Sequence, residues 1–225
     1  MNTVSLLWKN RSSEFSVLAL SSILAFCIFL VRVYISGNKY FLFLSWNLFL
    51  AWIPFLIAHW VTQRNDRPTW ITAAGIIGWL LFFPNAPYIL TDLFHLHQRH
   101  ASPLWLDLTV LLAFAWTGLW LGMSSLRKIQ LAYFDQLGHI QGRIVTVCVI
   151  FLTSFGVYLG RYLRWNSWDI ISNPMGLIND ILMRIIHPLE YSRSTGFTIV
   201  FGLFLTIAYL TYIVRHQDNA QSSVG

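Results

Sequence analysis

Six long apolar runs limit what this chain can fold into more than any other feature. They cover residues 15–36, 41–61, 69–90, 104–126, 143–164 and 196–214. The hydrocarbon core of a bilayer is about 30 Å thick, and a helix crosses it in roughly 20 residues. Because backbone N–H and C=O groups inside lipid must bond within their own segment, runs of this length must be helices. The sequence predicts an all-α polytopic membrane protein, a bundle of about six transmembrane helices.

The composition excludes an ordinary water-soluble fold. Apolar residues make up 56% of the chain and charged residues 11%, against roughly 45–50% and about 25% in average soluble domains. The excess apolar surface must face lipid, so the bilayer is the expected partner. The net charge of +6 does not indicate a nucleic-acid partner, because the basic residues are scattered through short loops that flank the spans. We expect a single integral membrane domain over residues 1–225.

The distribution of Lys and Arg gives an expected orientation. With the N-terminus in the cytoplasm, eight basic residues fall on the cytoplasmic side and seven on the other side. Two of the seven, Arg161 and Arg164, are assigned below to a site, which leaves eight against five. By the positive-inside rule, this difference favours cytoplasmic N- and C-termini.

A short amphipathic helix is predicted over residues 174–187, between the fifth and sixth spans. Asn173 is a favoured N-cap residue, and Pro174 suits the first helical position. Such a helix is too short to cross a bilayer and is typical of segments that lie in the interface. Its apolar side is expected to face away from a polar side: Leu177, Ile178, Ile181, Leu182, Ile185 and Ile186 against Asn179, Asp180, Met183, Arg184 and His187.

Two prolines three residues apart, Pro84 and Pro87, lie near the end of the third span. Each removes an amide donor and disturbs a carbonyl one turn earlier, so we expect a break in the helix. The side-chain amide of Asn85 is placed to bond the freed carbonyls. Broken membrane helices face protein or line a water-filled cavity, where transporters bind ligands, and Asn85 is therefore a substrate-binding candidate. A proline kink that only serves packing is the alternative.

Asp92, His95 and Arg99 follow the break at positions i, i+3 and i+7 and share one face if the chain there is helical. A carboxylate beside an imidazole can act as a general base, relay a proton or supply two metal ligands. Two ligands do not make a metal site, so no metal is predicted and no cofactor can be inferred. Asp92 and His95 are candidate catalytic residues. A solvated, histidine-rich loop is the alternative.

The fifth span ends in a polar segment that starts with Arg161 and Arg164 on one helical face. Arginine is costly in hydrocarbon, so two of them near the interface should pair or bind an anion, and the guanidinium fork matches carboxylate and phosphate groups. We predict that both bind substrate together with Asn166, and that Asp169 is a further catalytic candidate. Arginines that snorkel beside a tryptophan belt are the alternative.

Span parity places these residues on one side of the membrane. The third, fourth and fifth spans alternate in direction, so the end of the third, the start of the fourth and the end of the fifth emerge at one face in either orientation. Asp107 opens the fourth span and is a further substrate-binding candidate. Only Asn47 and the break at Asn85 lie deeper, and no comparable polar group is expected at the opposite face. The predicted cluster consists of Asp92, His95, Asp107, Arg161, Arg164, Asn166 and Asp169.

Three stretches resemble a known family: residues 46–54, residues 83–95 with Pro-Asn-Ala-Pro-Tyr, and residues 160–169 with Arg-Trp-Asn-Ser-Trp-Asp. From about residue 40 to residue 212, the chain resembles domain-of-unknown-function 1361, a group of multi-pass prokaryotic membrane proteins. The resemblance implies a multi-pass protein of a prokaryotic plasma membrane. It implies no activity and assigns no catalytic residue.

Three functions fit these residues. The first is a membrane-embedded enzyme for an anionic, lipid-linked or phosphate-bearing substrate, held by Arg161 and Arg164 and processed by Asp92 and His95. The second is a transporter or channel that uses the broken third helix. The third is a non-catalytic subunit or sensor, whose protein partners the sequence does not identify. The acidic residues lie at span ends, which favours the first and third functions over transport.

Overall fold

The structure, a computed structural model, describes residues 3–63, 68–97 and 102–222, with side chains over 14–63, 68–96 and 102–214. Within these ranges the regular elements are helices, and no strand occurs. Their bounds are α1 Thr3–Ser36, α2 Leu42–Thr62, α3 Thr69–Phe82, α4 Asn85–Tyr88, a 3₁₀ segment Ile89–His97, α5 Leu104–Ile129, a π-helical turn Gln130–Phe134, a 3₁₀ turn Asp135–Leu137, α6 His139–Tyr162, α7 Asp169–Ser172, α8 Pro174–Ile186 and α9 Ser192–Ser222.

Six helical stretches in the described part are long and apolar enough to cross a membrane, which confirms the predicted multi-pass, all-α architecture. They are Glu14–Ser36, Leu42–Thr62, Thr69–Leu96, Leu104–Leu137, His139–Tyr162 and Ser192–Val214. The third and fourth continue past residues 90 and 126, where the apolar runs end. Asp92 and Gln130 are buried there, and a polar side chain with partners inside the protein does not have to end a span. Which terminus faces the cytoplasm stays a prediction.

Contacts between Cα atoms divide the chain into two compact units. The first consists of Met1–Trp52 and Ala86–Gly122, and the second of Ile53–Asn85 and Met123–Gly225. The boundaries fall within α2, after the first residue of α4, and within α5.

The first unit has a close-packed apolar core and two polar ties between its helices. The hydroxyls of Ser21 on α1 and Thr117 on α5 lie 2.7 Å apart, and Trp52 Nε1 donates to Ser22 Oγ at 3.1 Å. A Cβ at Gly118 would lie 2.9 Å from the carbonyl oxygen of Ala86, so glycine allows α4 to pack closely on α5. Fully buried core residues include Phe41, Leu44, Ile89, Leu111 and Phe114.

In the second unit, α6 packs along α9, and the end of α3 packs against α6. A Cβ at Gly156 would lie 2.8 Å from Cγ of Pro84, so glycine makes room for the proline ring at the end of α3. Fully buried core residues include Phe55, Trp79, Leu126, Ile129 and Ile150.

The helix predicted over 174–187 is present as α8, and its start is as predicted. Asn173 Oδ1 accepts the backbone N–H of Gly176 at 3.2 Å, and Pro174 is the first helical residue. The predicted separation into an apolar and a polar side is wrong in one respect. Asp180 and Arg184 turn inward on the same side as Leu177, while Leu182 is exposed. The two charged side chains can lie on the inner side because Asp180 and Arg184 form an ion pair with each other.

Candidate functional site

The break after α3 is closed by side chains of the second unit. Asn85 Nδ2 donates to the carbonyl of Phe82 at 2.9 Å and to Ser167 Oγ at 3.2 Å, and Ser167 Oγ donates to the carbonyl of Leu81 at 3.2 Å. This confirms that the Asn85 amide satisfies a carbonyl at the break. Both amide hydrogens of Asn85 are used in these bonds. Its predicted role in substrate binding stays a prediction.

Asp92 lies in the 3₁₀ segment that follows the break, in the first unit. Its side chain is 1% exposed, and Oδ2 accepts a hydrogen bond from Asn47 Nδ2 at 2.8 Å. Asn47 is the polar residue that the sequence places deep in the second span. It neutralises part of the cost of burying a carboxylate, because a hydrogen bond to the charged form stabilises that form.

His95 lies one 3₁₀ turn after Asp92, on the same edge of the segment. Its Nδ1 is 3.1 Å from the backbone carbonyl oxygen of Asp92. A carbonyl can only accept, so Nδ1 carries the hydrogen in this contact, and the lone pair of the neutral ring is on Nε2. The ring lies against Phe43, with centroids 4.9 Å apart. Arg99, the third member of the predicted face, lies outside the described residues.

A buried ion pair between Arg32 and Asp107 was missed by sequence reasoning. Arg32 Nε donates to Asp107 Oδ1 at 3.0 Å, and the side chains are 0% and 4% exposed. Arg32 Nη1 donates to the carbonyl of Asn38 at 2.6 Å, and the guanidinium lies 4.8 Å from the ring centre of Phe41. The available signal was a single arginine within an apolar run. Arg32 is one of the seven basic residues counted above on the side opposite the cytoplasm.

Ser102 and the second terminal nitrogen of Arg32 complete the polar contacts of this pair. Ser102 Oγ donates to the same oxygen, Asp107 Oδ1. In the part of the chain that the structure describes, Arg32 Nη2 is buried without a hydrogen-bond partner. Oδ1 of Asp107 is therefore shared by Arg32 and Ser102, whereas one nitrogen of the guanidinium has no partner among the described residues.

The remaining candidates belong to the second unit: Arg161 lies in the last turn of α6, and Arg164, Asn166 and Asp169 follow this helix. The prediction that Arg161 and Arg164 share one helical face is wrong, because α6 ends at Tyr162 and Arg164 lies outside it. Arg164 has a left-handed backbone with φ of 63°, and its carbonyl accepts from Asn166 Nδ2 at 3.4 Å. Asp169 Oδ2 accepts the backbone N–H of Asn166 at 2.7 Å, and Oδ1 accepts from Ser172 Oγ at 2.9 Å. The bonds from the Asn166 backbone and from Ser172 hold the pKa of Asp169 below its ordinary value. A carboxylate held in this way is a weaker base and is committed to its own loop.

The sequence-predicted residues thus fall into two groups. Asp92, His95 and Asp107 belong to the first unit, while Arg161, Arg164, Asn166 and Asp169 belong to the second. That they form one cluster at one membrane face stays a prediction, as do their catalytic and substrate-binding roles. No group of three or more side chains suited to metal binding occurs among the described residues.

A polar network at the far end of α5 shows that the expectation of no comparable group there is wrong. Buried Gln130 donates through Nε2 to Asp135 Oδ1 at 3.2 Å, and its Oε1 accepts from the hydroxyl of Tyr209 on α9. Tyr133 donates to the carbonyl of Val61 at 2.9 Å. The π-helical turn here shifts the register that a regular helix would give, so the sequence pattern did not reveal that these residues converge.

Another group of polar side chains holds α8 against neighbouring residues of the second unit. Asp180 Oδ1 pairs with Arg184 Nη1 at 2.8 Å, and Oδ2 accepts from Trp165 Nε1 at 2.7 Å. The Arg184 guanidinium lies 4.8 Å from the ring centre of Tyr191. These contacts hold the inner side of α8 against the end of α6 and leave its outer side apolar.

Comparison with known proteins gives one match. No curated protein and no solved structure matches the chain. A family model described as a protein of unknown function (DUF1361) matches residues 46–208. This range includes α4, the 3₁₀ segment with Asp92 and His95, and the loop from Arg161 to Asp169. The chain is therefore a multi-pass membrane protein that belongs to the DUF1361 family.

Proposed function

We propose that this protein is a membrane-embedded enzyme for an anionic, lipid-linked or phosphate-bearing substrate, and that His95 is its general base. The observation that supports this best is the 3.1 Å contact between His95 Nδ1 and the Asp92 carbonyl. A general base needs a fixed ring and one defined free nitrogen. The contact provides both, because it orients the ring and leaves the lone pair on Nε2.

The neighbouring groups support a site rather than a packed histidine alone. Buried Asp92 is held by Asn47, so the 3₁₀ segment that carries His95 is anchored by its side chain as well as by its backbone. Within the described ranges, Arg32 Nη2 has no hydrogen-bond partner, and a guanidinium donor of this kind recognises oxyanions.

Transport is supported less well. A binding site built on a broken helix uses the backbone groups that the break exposes. Here the carbonyls of Leu81 and Phe82 already accept from Ser167 and Asn85. The break therefore satisfies its own polar groups with side chains of the chain.

The test is conversion of lipid by the purified protein in vesicles made from total lipid of the expression host, supplied with the host's small-molecule extract. Mass spectrometry and ³¹P NMR follow every phosphate-bearing species. We expect the wild type to change at least one of them. His95→Asn should slow the change by roughly 10²-fold or more, the usual contribution of a general base. Its amide can still donate to the Asp92 carbonyl, but it lacks the basic Nε2.

His187→Asn is the matched control. His187 is 42% exposed and lies 3.6 Å from Glu190 in the second unit, so this change should leave the rate as it is. No conversion by the wild type would overturn the enzymatic function and leave the non-catalytic one. Equal rates for the wild type and His95→Asn would remove His95 from the mechanism.

A further inference from the structure

A groove of about 680 Å³ runs along the first unit between α1, the 3₁₀ segment and α5. We infer that it binds the hydrocarbon chain of a membrane amphiphile whose phosphate-bearing headgroup lies beside His95 and Arg32. The inference rests on the proposed function and adds the part of the substrate that the polar residues do not contact. Residues of its wall include Leu20, Leu24, Ile28, Leu90, Leu93 and Trp116.

The wall offers an occupant almost no polar contact. The hydroxyl of Ser21 is bonded to that of Thr117 at 2.7 Å, and Thr109 Oγ1 donates to the carbonyl of Trp105 at 2.7 Å. The hydroxyls in the wall are therefore engaged within the protein. A chain without hydrogen-bonding groups is the occupant that costs least here, because a polar one would lose its partners.

At one end of the groove, the lining residues of all three elements lie within four positions of a polar residue along the chain. On α1, Ile28 lines the groove and Arg32 is one turn further on. On the 3₁₀ segment, Leu90 and Leu93 line it on either side of Asp92 in sequence. On α5, Thr109 lines it two residues after Asp107.

The pairs Ser21–Thr117 and Arg32–Asp107 show that α1 and α5 run antiparallel. The groove-lining residues nearest the polar end are therefore at the same level on both helices. A single molecule can place its chain in the groove and its head at the polar residues.

The length of the groove fits one leaflet. From Val17 to Ile28, α1 rises about 16 Å at roughly 1.5 Å per residue. Half of a hydrocarbon core of about 30 Å is about 15 Å. Leu20, Leu24 and Trp116 are each more than half exposed, so the groove is open along its side. A chain can enter from the surrounding leaflet without crossing water.

The test is photo-crosslinking with a long-chain alkyl phosphate that carries a diazirine in its chain, added to the full-length protein in phosphatidylcholine nanodiscs. Mass spectrometry of the peptides should place most of the label within residues 17–28 and 109–119. Label spread evenly over the six spans would overturn the inference. So would equal labelling of the groove by the corresponding long-chain alcohol, because the head would then play no part.

Two variants fill the groove. Ala113→Phe and Leu24→Trp add bulk at wall positions and should each lower groove labelling several-fold. Ala208→Phe is the matched control, since Ala208 is a half-buried alanine on α9 in the second unit, and it should leave groove labelling unchanged. If folded Ala113→Phe and Leu24→Trp proteins both label like the wild type, the chain does not lie in this groove.

Crosslinking measures occupancy without turnover, so the two proposals fail separately. A labelled groove in a protein that converts no lipid overturns the enzymatic function and leaves the binding site. Conversion of lipid by a protein whose groove stays unlabelled does the reverse.

Discussion

Removing the charge of Asp107 should destabilise the protein by about 3 kcal/mol. Asp107 and Arg32 are buried together, with Nε and Oδ1 3.0 Å apart, and breaking a buried pair by removing one partner costs about 3–5 kcal/mol. We place Asp107→Asn at the lower end because the amide oxygen can still accept from Arg32 and Ser102. The unfolding equilibrium constant should rise roughly a hundredfold.

The double variant Arg32→Met with Asp107→Leu compares the stability of the buried ion pair with that of apolar side chains in the same place. Replacing a buried ion pair by apolar side chains of similar volume is often neutral or stabilising. Of the other partners, Asn38 is exposed and Ser102 is half-buried, so their lost bonds cost little. The double variant should therefore unfold within about 1 kcal/mol of the wild type and be more stable than Asp107→Asn.

The assay is equilibrium unfolding in mixed micelles with increasing SDS, followed by circular dichroism. Asp180→Asn is the control, because Asp180 is 34% exposed in its pair with Arg184 and such pairs contribute about 1 kcal/mol or less. The reasoning is refuted if Asp107→Asn costs no more than this control. It is also refuted if the double variant loses as much stability as the sum of the losses measured for Arg32→Met alone and Asp107→Leu alone.

Three further predictions concern the segment that follows α6. Asn173→Ala should destabilise α8 by about 1 kcal/mol because the acceptor for the Gly176 N–H is lost. Asn173→Asp should retain most of this stability, and equal losses for the two variants in SDS unfolding would contradict the role of Asn173 as N-cap. A nitroxide at Leu182, which is 48% exposed, should be reached by lipid-phase oxygen, and one at Leu177, which is 9% exposed, should not; high exposure of Leu182 to a water-soluble quencher instead would place α8 outside the lipid. The Asp169 carboxyl should titrate below 3.8, so its stabilising contribution is present above that pH and is lost as the pH falls through its folded-state pKa; a carboxyl carbon NMR midpoint at or above 3.8 would contradict this.

The sequence predicted local structure correctly where a single physical rule dominates. Two prolines near Asn85 predicted a break and the use of its amide, and both are found, because an interrupted helix leaves carbonyls that a nearby amide can reach. Asn173 and Pro174 predicted the start of α8 for the same kind of reason. These effects act over a few residues, so no tertiary information is needed.

Pairings between distant residues were not readable. Arg32 and Asp107 are 75 positions apart, and nothing in either run states that two polar residues within or beside apolar spans bond to each other. The partners of Gln130 are also hidden, because a π-helical turn changes which side chains face inward. The orientation of α8 is a third case, since a helix with a charged pair and apolar residues can bury either side.

For this protein, the sequence by itself determined the six spans, the helical class, the family and the segments that carry polar residues. The reason is that lipid penalises an unbonded backbone and an uncovered charge, and both penalties depend on local composition. The tertiary structure decided which polar groups satisfy each other: Asn47 with Asp92, Arg32 with Asp107, and Asp180 with Trp165 and Arg184. It also decided that α1, the 3₁₀ segment and α5 of the first unit line one apolar groove. These are properties of helix packing, in which the partner of each side chain is set by distances across the fold rather than along the chain.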